Sequence, residues 1–146
     1  MKRFLLTLTC IIGGILSAFS SDKIGELKSP DQKVIIEILK ETDGSIFYNV
    51  TKENSLLIKN SRLDINTSRK SLADCIFDKC SYNTVDETYE LVSGKTRTYT
   101  NNCNELTAQF KHAEGSINIT FRAYNDGIAF QYNITDTQTS PVTIKS

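Results

Sequence analysis

The sequence has few of the side chains that most enzyme chemistry needs. Among 146 residues there is one histidine, His112, and no serine lies in a G-x-S-x-G setting. Acyl-transfer catalysis is therefore poorly supported, because an activated serine needs a neighbouring base. One histidine also argues against a zinc site, and no phosphate-binding loop or dinucleotide fingerprint is present. We interpret His112, beside Lys111 and Glu114, as a solvated surface residue.

Helical patterning is absent as well. No stretch of ten or more residues carries an apolar stripe at helical spacing, and there is no fixed repeat or low-complexity segment. Asn, Thr, Ser, Ile and Tyr are frequent instead, and turn dipeptides recur at short intervals. This pattern predicts an all-β fold, an antiparallel β-sandwich or a barrel.

The longest apolar run is at the N-terminus, where Phe4–Phe19 follows a basic start. Ala18 and Ser20 supply the small residues that a signal peptidase recognises. We expect residues 1–20 to be a signal peptide, so that the protein is secreted or periplasmic and has no membrane attachment after cleavage. A retained anchor is the alternative. Residues 21–146 then form one domain, or part of a larger one.

Charge and cysteine content narrow the choice of partner and compartment. Without Lys2 and Arg3, 15 of the 17 basic side chains remain against 17 acidic ones, which argues against a nucleic-acid partner. Cys75, Cys80 and Cys103 follow the predicted cleavage site. Oxidising conditions outside the cell favour a disulfide, but three cysteines leave one thiol over and the pairing open.

Alternation predicts most of the strands. They are Lys33–Lys40, Ser45–Thr51, two short strands within Ser55–Ile65, Thr88–Val92, Lys95–Thr100, and a strand through Leu106, Ala108 and Phe110. Turns are expected at Leu27–Gln32, Asp43-Gly44, Asn101–Asn104 and Glu114-Gly115, a loop over Asn66–Asp74, and irregular structure over Cys75–Val85. Residues 140–146 begin another alternating strand, and we expect the chain to be part of a longer polypeptide.

Residues 116–136 are predicted to form a β-hairpin with a type I′ turn at Asp126-Gly127, because that turn needs positive φ at both central residues. The resulting apolar pairs are Ala123 with Phe130, Phe121 with Tyr132, and Ile119 with Ile134. The polar pairs are Arg122 with Gln131, Thr120 with Asn133, and Asn118 with Thr135. One face is thus apolar and the other polar, which fixes the register.

Two polar surfaces are candidate sites. The hairpin face with Asn118, Arg122, Tyr124, Gln131 and Asn133 has the planar polar groups and the aromatic ring of a sugar-binding sheet, and equally the composition of any solvated sheet face. Asn49, Asn66, Asn118 and Asn133 lie in Asn-x-Ser/Thr sequons, which suit either glycosylation or ordinary strand exteriors.

The second surface is acidic. Asp86, Glu87, Glu90 and Glu105 cluster in sequence around the Ser93-Gly94 hairpin. Paired carboxylates hydrolyse glycosidic bonds only when burial keeps one of them protonated. The register predicts that Glu90 faces Arg97 as an ion pair, which favours a solvated face.

Four segments resemble one enzyme family in order and spacing. Leu27–Val34 is similar to the opening "SPDGK" strand of glycoside hydrolase family 97, Val85–Glu90 to its "VDETWEP" segment, Asn104–Leu106 to "NEL", and Phe121–Tyr132 to its "FRVYDDGVAFRY" hairpin. Their collinearity over residues 27–134 makes the resemblance fairly specific. Tyr89 stands in place of Trp, Gln131 in place of Arg, and the cysteines lie outside the family pattern.

The resemblance implies an exported, calcium-dependent α-glucosidase or α-galactosidase. Such enzymes have an N-terminal galactose-mutarotase-like β-sandwich, a catalytic (β/α)8 barrel and a small C-terminal β domain. Residues 21–146 would be part of that sandwich, and the barrel of the same polypeptide its partner. We expect no catalytic, cofactor-binding or metal residue in this chain, and no activity without the barrel.

Three functions remain open at this point. The first is a structural role in the enzyme that hydrolyses α-linked oligosaccharides. The second is a stand-alone module that binds carbohydrate or protein through Asn118, Arg122 and Gln131. The third, hydrolysis by this chain alone, is not expected. Specificity for α-glucosides or α-galactosides, and inversion or retention, depend on barrel residues that are absent.

Overall fold

A computed structural model describes residues 21–68, 70–92, 97–137 and 143–145. The predicted signal peptide, residues 1–20, lies outside these ranges. Ten strands occur within them: Asp22–Lys28 (β1), Val34–Lys40 (β2), Ile46–Lys52 (β3), Ser55–Leu63 (β4), Asn66–Thr67 (β5), Ile76–Glu90 (β6), Thr98–His112 (β7), Gly115–Ala123 (β8), Ile128–Asp136 (β9) and Ile144–Lys145 (β10). A short 3₁₀ helix spans Leu72–Asp74. No described helix is long and apolar enough to span a membrane.

The strands form two four-stranded antiparallel sheets. Their orders are β1-β2-β3-β4 and β6-β7-β8-β9, and the short β5 pairs with β10. The apolar faces of the two large sheets pack on one another, as contacts between β1 and β7 and between β2 and β8 show. The all-β antiparallel sandwich predicted from the sequence is therefore confirmed.

Alternation along the strands produces the core. In β2 and β3 every second residue is buried, and the same alternation holds in β8 and over residues 106–110 of β7, because successive side chains of a strand point to opposite faces. Burying such side chains supplies about 1.5–3 kcal/mol each. The fully buried members of the core, none more than 1% exposed, are Ile36, Ile38, Leu72, Leu106, Ala108, Phe110, Ile117, Ile119, Phe121 and Ala123.

Three predicted segments differ from the structure. Leu27 and Lys28 belong to β1, and the turn begins only at Ser29. The irregular segment Cys75–Val85 and the turn Asn101–Asn104 lie largely within β6 and β7, which pair along almost their whole length. Most side chains of β6 are exposed on both faces of the strand. The segment therefore lacks the alternation of apolar and polar residues that predicts a strand.

The predicted pair of strands within Ser55–Ile65 is one strand, β4. Its register against β3 shifts near Val50, and Asn60 has a φ of 47°. Such bulges bend a strand without ending it. The predicted loop over residues 66–74 contains the short β5 and the 3₁₀ helix.

The hairpin at residues 116–136 is confirmed, but its register and turn differ from the prediction. Phe121 pairs with Phe130 and Ile119 with Tyr132, two residues away from the expected partners. Asn125 and Asp126 are the central turn residues, and the Tyr124 N–H donates to the Gly127 carbonyl (2.8 Å).

The turn is held by a contact outside the hairpin. The Asn125 side-chain oxygen accepts a hydrogen bond from the Asp31 backbone N–H (3.0 Å). None of the residues from Asn125 to Gly127 has a positive φ, so the turn is not type I′. A shift of two residues leaves every side chain on its predicted face, because the side-chain period of a strand is two.

Acid is expected to destabilise this fold through its turns. The Ser29 hydroxyl lowers the pKa of Asp31, and the Ser45 backbone N–H lowers the pKa of Asp43. A carboxyl group with a depressed folded-state pKa stabilises the fold above its unfolded pKa, and this stability is lost as the pH falls through the folded value. The thermal midpoint should therefore be flat from about pH 8 to about pH 5 and fall below about pH 4. A midpoint that rises on acidification would contradict this.

Candidate functional site

The polar face of the β8–β9 hairpin was the first candidate surface. Asn118 and Asn133 lie directly opposite one another, and Thr120 lies opposite Gln131. Arg122 faces Ala129 across the strands rather than Gln131, its predicted partner. The five candidate side chains therefore share one face, in a different arrangement from the one predicted.

Arg122 is occupied by protein groups. Its Nε donates to Glu105 Oε2 on the neighbouring strand β7 (2.9 Å). The pKa of Arg122 is raised by this hydrogen bond and then by the one to Tyr124. Burial, followed by a hydrogen bond to Cys103, raises the pKa of Tyr124. This series of contacts, from Glu105 through Arg122 and Tyr124 to Cys103, holds the guanidinium and the phenol group in place. These two groups are therefore not free for a ligand.

The space on this face is also small. A depression of about 130 Å³ is lined in part by Arg122, Tyr124 and Gln131. Ligand pockets usually measure about 300–1,000 Å³, and one water takes about 30 Å³ of liquid. The depression suits a few waters rather than a sugar, so the geometry does not favour carbohydrate binding here.

The sequon asparagines all lie in strands: Asn49 in β3, Asn66 in β5, Asn118 in β8 and Asn133 in β9. Asn118 Oδ1 is buried and has no hydrogen-bond partner among the described residues. This placement fits the interpretation of the sequons as strand residues. Glycosylation at these positions stays a prediction to be tested.

The acidic residues do not form a paired-carboxylate site. Asp86, Glu87 and Glu90 are exposed along β6, and Glu87 and Glu90 point to opposite faces because they lie three positions apart in the strand. Glu87 accepts a hydrogen bond from Asn101 (2.6 Å). Glu105 lies further along the sheet, opposite Asn83. None of these positions offers the dry pocket that would keep one carboxyl group protonated.

The predicted ion pair between Glu90 and Arg97 is confirmed. Arg97 Nε lies 3.1 Å from Glu90 Oε2, although the backbone partner of Glu90 is Thr98. The predicted tip, residues 93–96, lies outside the described ranges.

The two ion pairs should differ in strength. The Glu105 and Arg122 side chains are 18% and 40% exposed, whereas those of Glu90 and Arg97 are 61% and 81% exposed. Glu105→Gln is expected to lower the free energy of unfolding by about 1 kcal/mol, and the matched Glu90→Gln by less than about 0.5 kcal/mol. Urea unfolding of both variants measures this, and equal losses would contradict it.

His112 and the cysteines do not form a catalytic or metal centre. His112 is half-buried rather than fully exposed, and its Nδ1 accepts the Glu114 backbone N–H (3.3 Å) in the β7–β8 turn. Cys75, Cys80 and Cys103 are free thiols. Within the described residues no group of three or more His, Cys, Asp or Glu side chains could hold a metal ion.

Sequence reasoning missed one concave surface. A groove of about 500 Å³, here called the side groove, lies between the end of β1 and the β6–β7 pair. Its lining includes Glu26, Lys28, Tyr82, Asn83, Thr84 and Asn104. It exists because β1 and β6 are the outer strands of their sheets. No local signal in the sequence indicates which strands become edges.

A family model and several solved structures all relate this chain to glycoside hydrolases. The family model described as "Glycosyl-hydrolase 97 N-terminal" matches residues 27–146. A solved glycoside hydrolase family 97 enzyme from Pseudoalteromonas sp. strain K8, in complex with acarbose, is 21% identical with a TM-score of 0.66, over 75% of this chain and 17% of that one. A variant of that enzyme with one glutamate replaced by glutamine was solved with panose.

A β-arabinopyranosidase is also similar in structure. It is 22% identical with a TM-score of 0.73, over 83% of this chain and 20% of its own. At these identities the similarity shows a shared fold. The matched region spans about a fifth or less of either enzyme.

Proposed function

Because the chain belongs to the glycosyl-hydrolase 97 N-terminal family, we propose that it is the non-catalytic sandwich of an exported α-glycosidase. The observation that carries the proposal is the family match over residues 27–146. In this role the sandwich packs on a (β/α)8 barrel of the same polypeptide and helps to shape the entrance to its active site.

The substrate class in this proposal is an α-linked oligosaccharide. The complexes of the Pseudoalteromonas enzyme with acarbose and panose support it. The β-arabinopyranosidase shows that a similar sandwich also occurs in a glycosidase of another specificity. The chemistry would be carried out by carboxylates of the barrel, since the described residues of this chain offer no paired-carboxylate site.

Calcium and export complete the proposal. Calcium needs about six to eight oxygen ligands, and the described residues contain no group of three or more acidic, histidine or cysteine side chains suited to a metal. These residues do not fit the ion, so calcium is proposed only for the full-length enzyme. Residues 1–20 would direct export to the periplasm or the medium, and the mass of the mature protein tests cleavage after Ser20.

Two measurements test the role in the enzyme. The purified chain is expected to show no turnover of p-nitrophenyl α-glucoside or α-galactoside, and turnover that co-elutes with the chain would contradict a non-catalytic role. A transcript whose reading frame continues past Ser146 into a (β/α)8 barrel would support the proposal. A frame that ends at Ser146 would contradict it.

A further inference from the structure

The side groove has a fixed floor. Asn104 Nδ2 on β7 donates to the Lys28 carbonyl at the end of β1 (2.8 Å). The Thr84 hydroxyl on β6 donates to Asn104 Oδ1 (3.1 Å). One amide thus ties together three strands from both sheets. A ligand would meet a surface whose side chains are already ordered, which lowers the entropy cost of binding.

The wall of the groove presents groups without protein partners. Tyr82 is 61% exposed, although it lies opposite the fully buried Leu106. Among the described residues, the Tyr82 hydroxyl has no hydrogen-bond partner. Because β6 is an outer strand, its backbone also offers unpaired N–H and C=O groups on this side.

Charge is balanced beside the groove. Glu26 contacts both Lys23 (2.7 Å) and Lys28 (3.4 Å), and Glu105 is paired with Arg122. A charged ligand would find no unpaired ion of opposite sign among these residues. A neutral ligand rich in hydroxyl groups matches the free Tyr82 hydroxyl and the backbone groups of β6 better.

We propose that the side groove binds a neutral oligosaccharide, with a pyranose ring on the Tyr82 ring and its hydroxyl groups hydrogen-bonded to backbone groups at the open edge of β6. A volume of about 500 Å³ lies within the usual range for ligand sites. A peptide strand would need apolar pockets for alternate side chains, and the apolar lining is limited to Leu27 and the Tyr82 ring. The site lies within the sandwich and does not depend on a catalytic barrel.

Titration with maltotriose and with melibiose, followed by ¹H–¹⁵N NMR and calorimetry, tests this proposal. Saturable binding of either sugar is expected, with shifts at Tyr82 and Asn83. Tyr82→Ala should weaken binding at least about tenfold, which corresponds to about 1.4 kcal/mol, whereas Tyr82→Phe, which keeps the ring, should lose less than half as much in free energy.

Tyr89→Ala is the matched control. Tyr89 is also an exposed β6 tyrosine, at 47%, but it stacks on Tyr99 outside the groove (5.9 Å between ring centroids). Its removal should leave the affinity unchanged. No saturable binding of either sugar, or equal affinity in Tyr82→Ala and the unmodified protein, would overturn the proposal. That result would leave the proposed structural role in a glycosidase intact.

Discussion

Phe121→Ala is expected to lower the free energy of unfolding by about 3–5 kcal/mol, because the phenyl ring is fully buried and its loss leaves a cavity. Domains are stable by about 5–15 kcal/mol in total, so this change removes at least about a fifth of the stability. Phe121 contacts both Tyr48 (5.9 Å) and Phe130 (5.6 Å between ring centroids), and it therefore joins the two sheets.

Phe130→Ala is the matched control for Phe121. Phe130 is the cross-strand partner of Phe121 and faces the same way, but it is 42% exposed at the outer strand β9. Its removal should cost about 1–2 kcal/mol. Denaturant unfolding of both variants measures the difference. Equal losses would mean that Phe130 is covered in solution by something other than the described residues.

Gly44→Ala is expected to have the second large effect. Gly44 ends the turn between β2 and β3 with a φ of 87°, and an added Cβ would collide with the carbonyl oxygen of Ala73 in the 3₁₀ helix. The left-handed backbone alone costs about 1–3 kcal/mol for a residue with a side chain. The collision adds to this cost because backbone has to move.

Gly127→Ala is the control for backbone freedom. Gly127 has no positive φ, and an added Cβ would meet nothing within 4 Å. The change should be neutral or stabilise the fold by up to about 1 kcal/mol, because alanine restricts the unfolded chain. A comparison of the thermal midpoints of both variants tests the pair. A larger loss in Gly127→Ala would contradict the turn geometry described here.

The pattern of apolar and polar residues was sufficient to predict the fold class. It also predicted which side chains are buried in the strands that alternate clearly. The alternation in β2, β3 and β8 reports burial directly, because each strand covers a core on one side only. Of the hairpin aromatics, Phe121 is fully covered by the described strands. Phe130 is only partly covered.

Turn residues were a weaker guide. Asp126-Gly127 has the preferred sequence of a type I′ turn, yet the turn centres on Asn125 and Asp126. Two consecutive positive φ values occur instead at Glu53 and Asn54, between β3 and β4. The free energy that a preferred turn sequence contributes is small compared with that of pairing two whole strands, so the strand pairing decides the register. The side groove could not be predicted from the sequence either. Its walls come from separate sheets, and no local pattern shows how the two sheets pack.

The burial of the thiols affects how folding and thiol oxidation compete in an oxidising compartment. Burial raises the pKa of Cys75 and of Cys80, which reduces the thiolate that attacks disulfides. Cys103 is fully buried on the outer face of its sheet. These thiols therefore oxidise slowly in the folded chain, whereas in the unfolded chain Cys75, Cys80 and Cys103 are accessible and can form any of three non-native disulfides with one another. In such a compartment, the relative rates of folding and of thiol oxidation would decide how much of the protein becomes native.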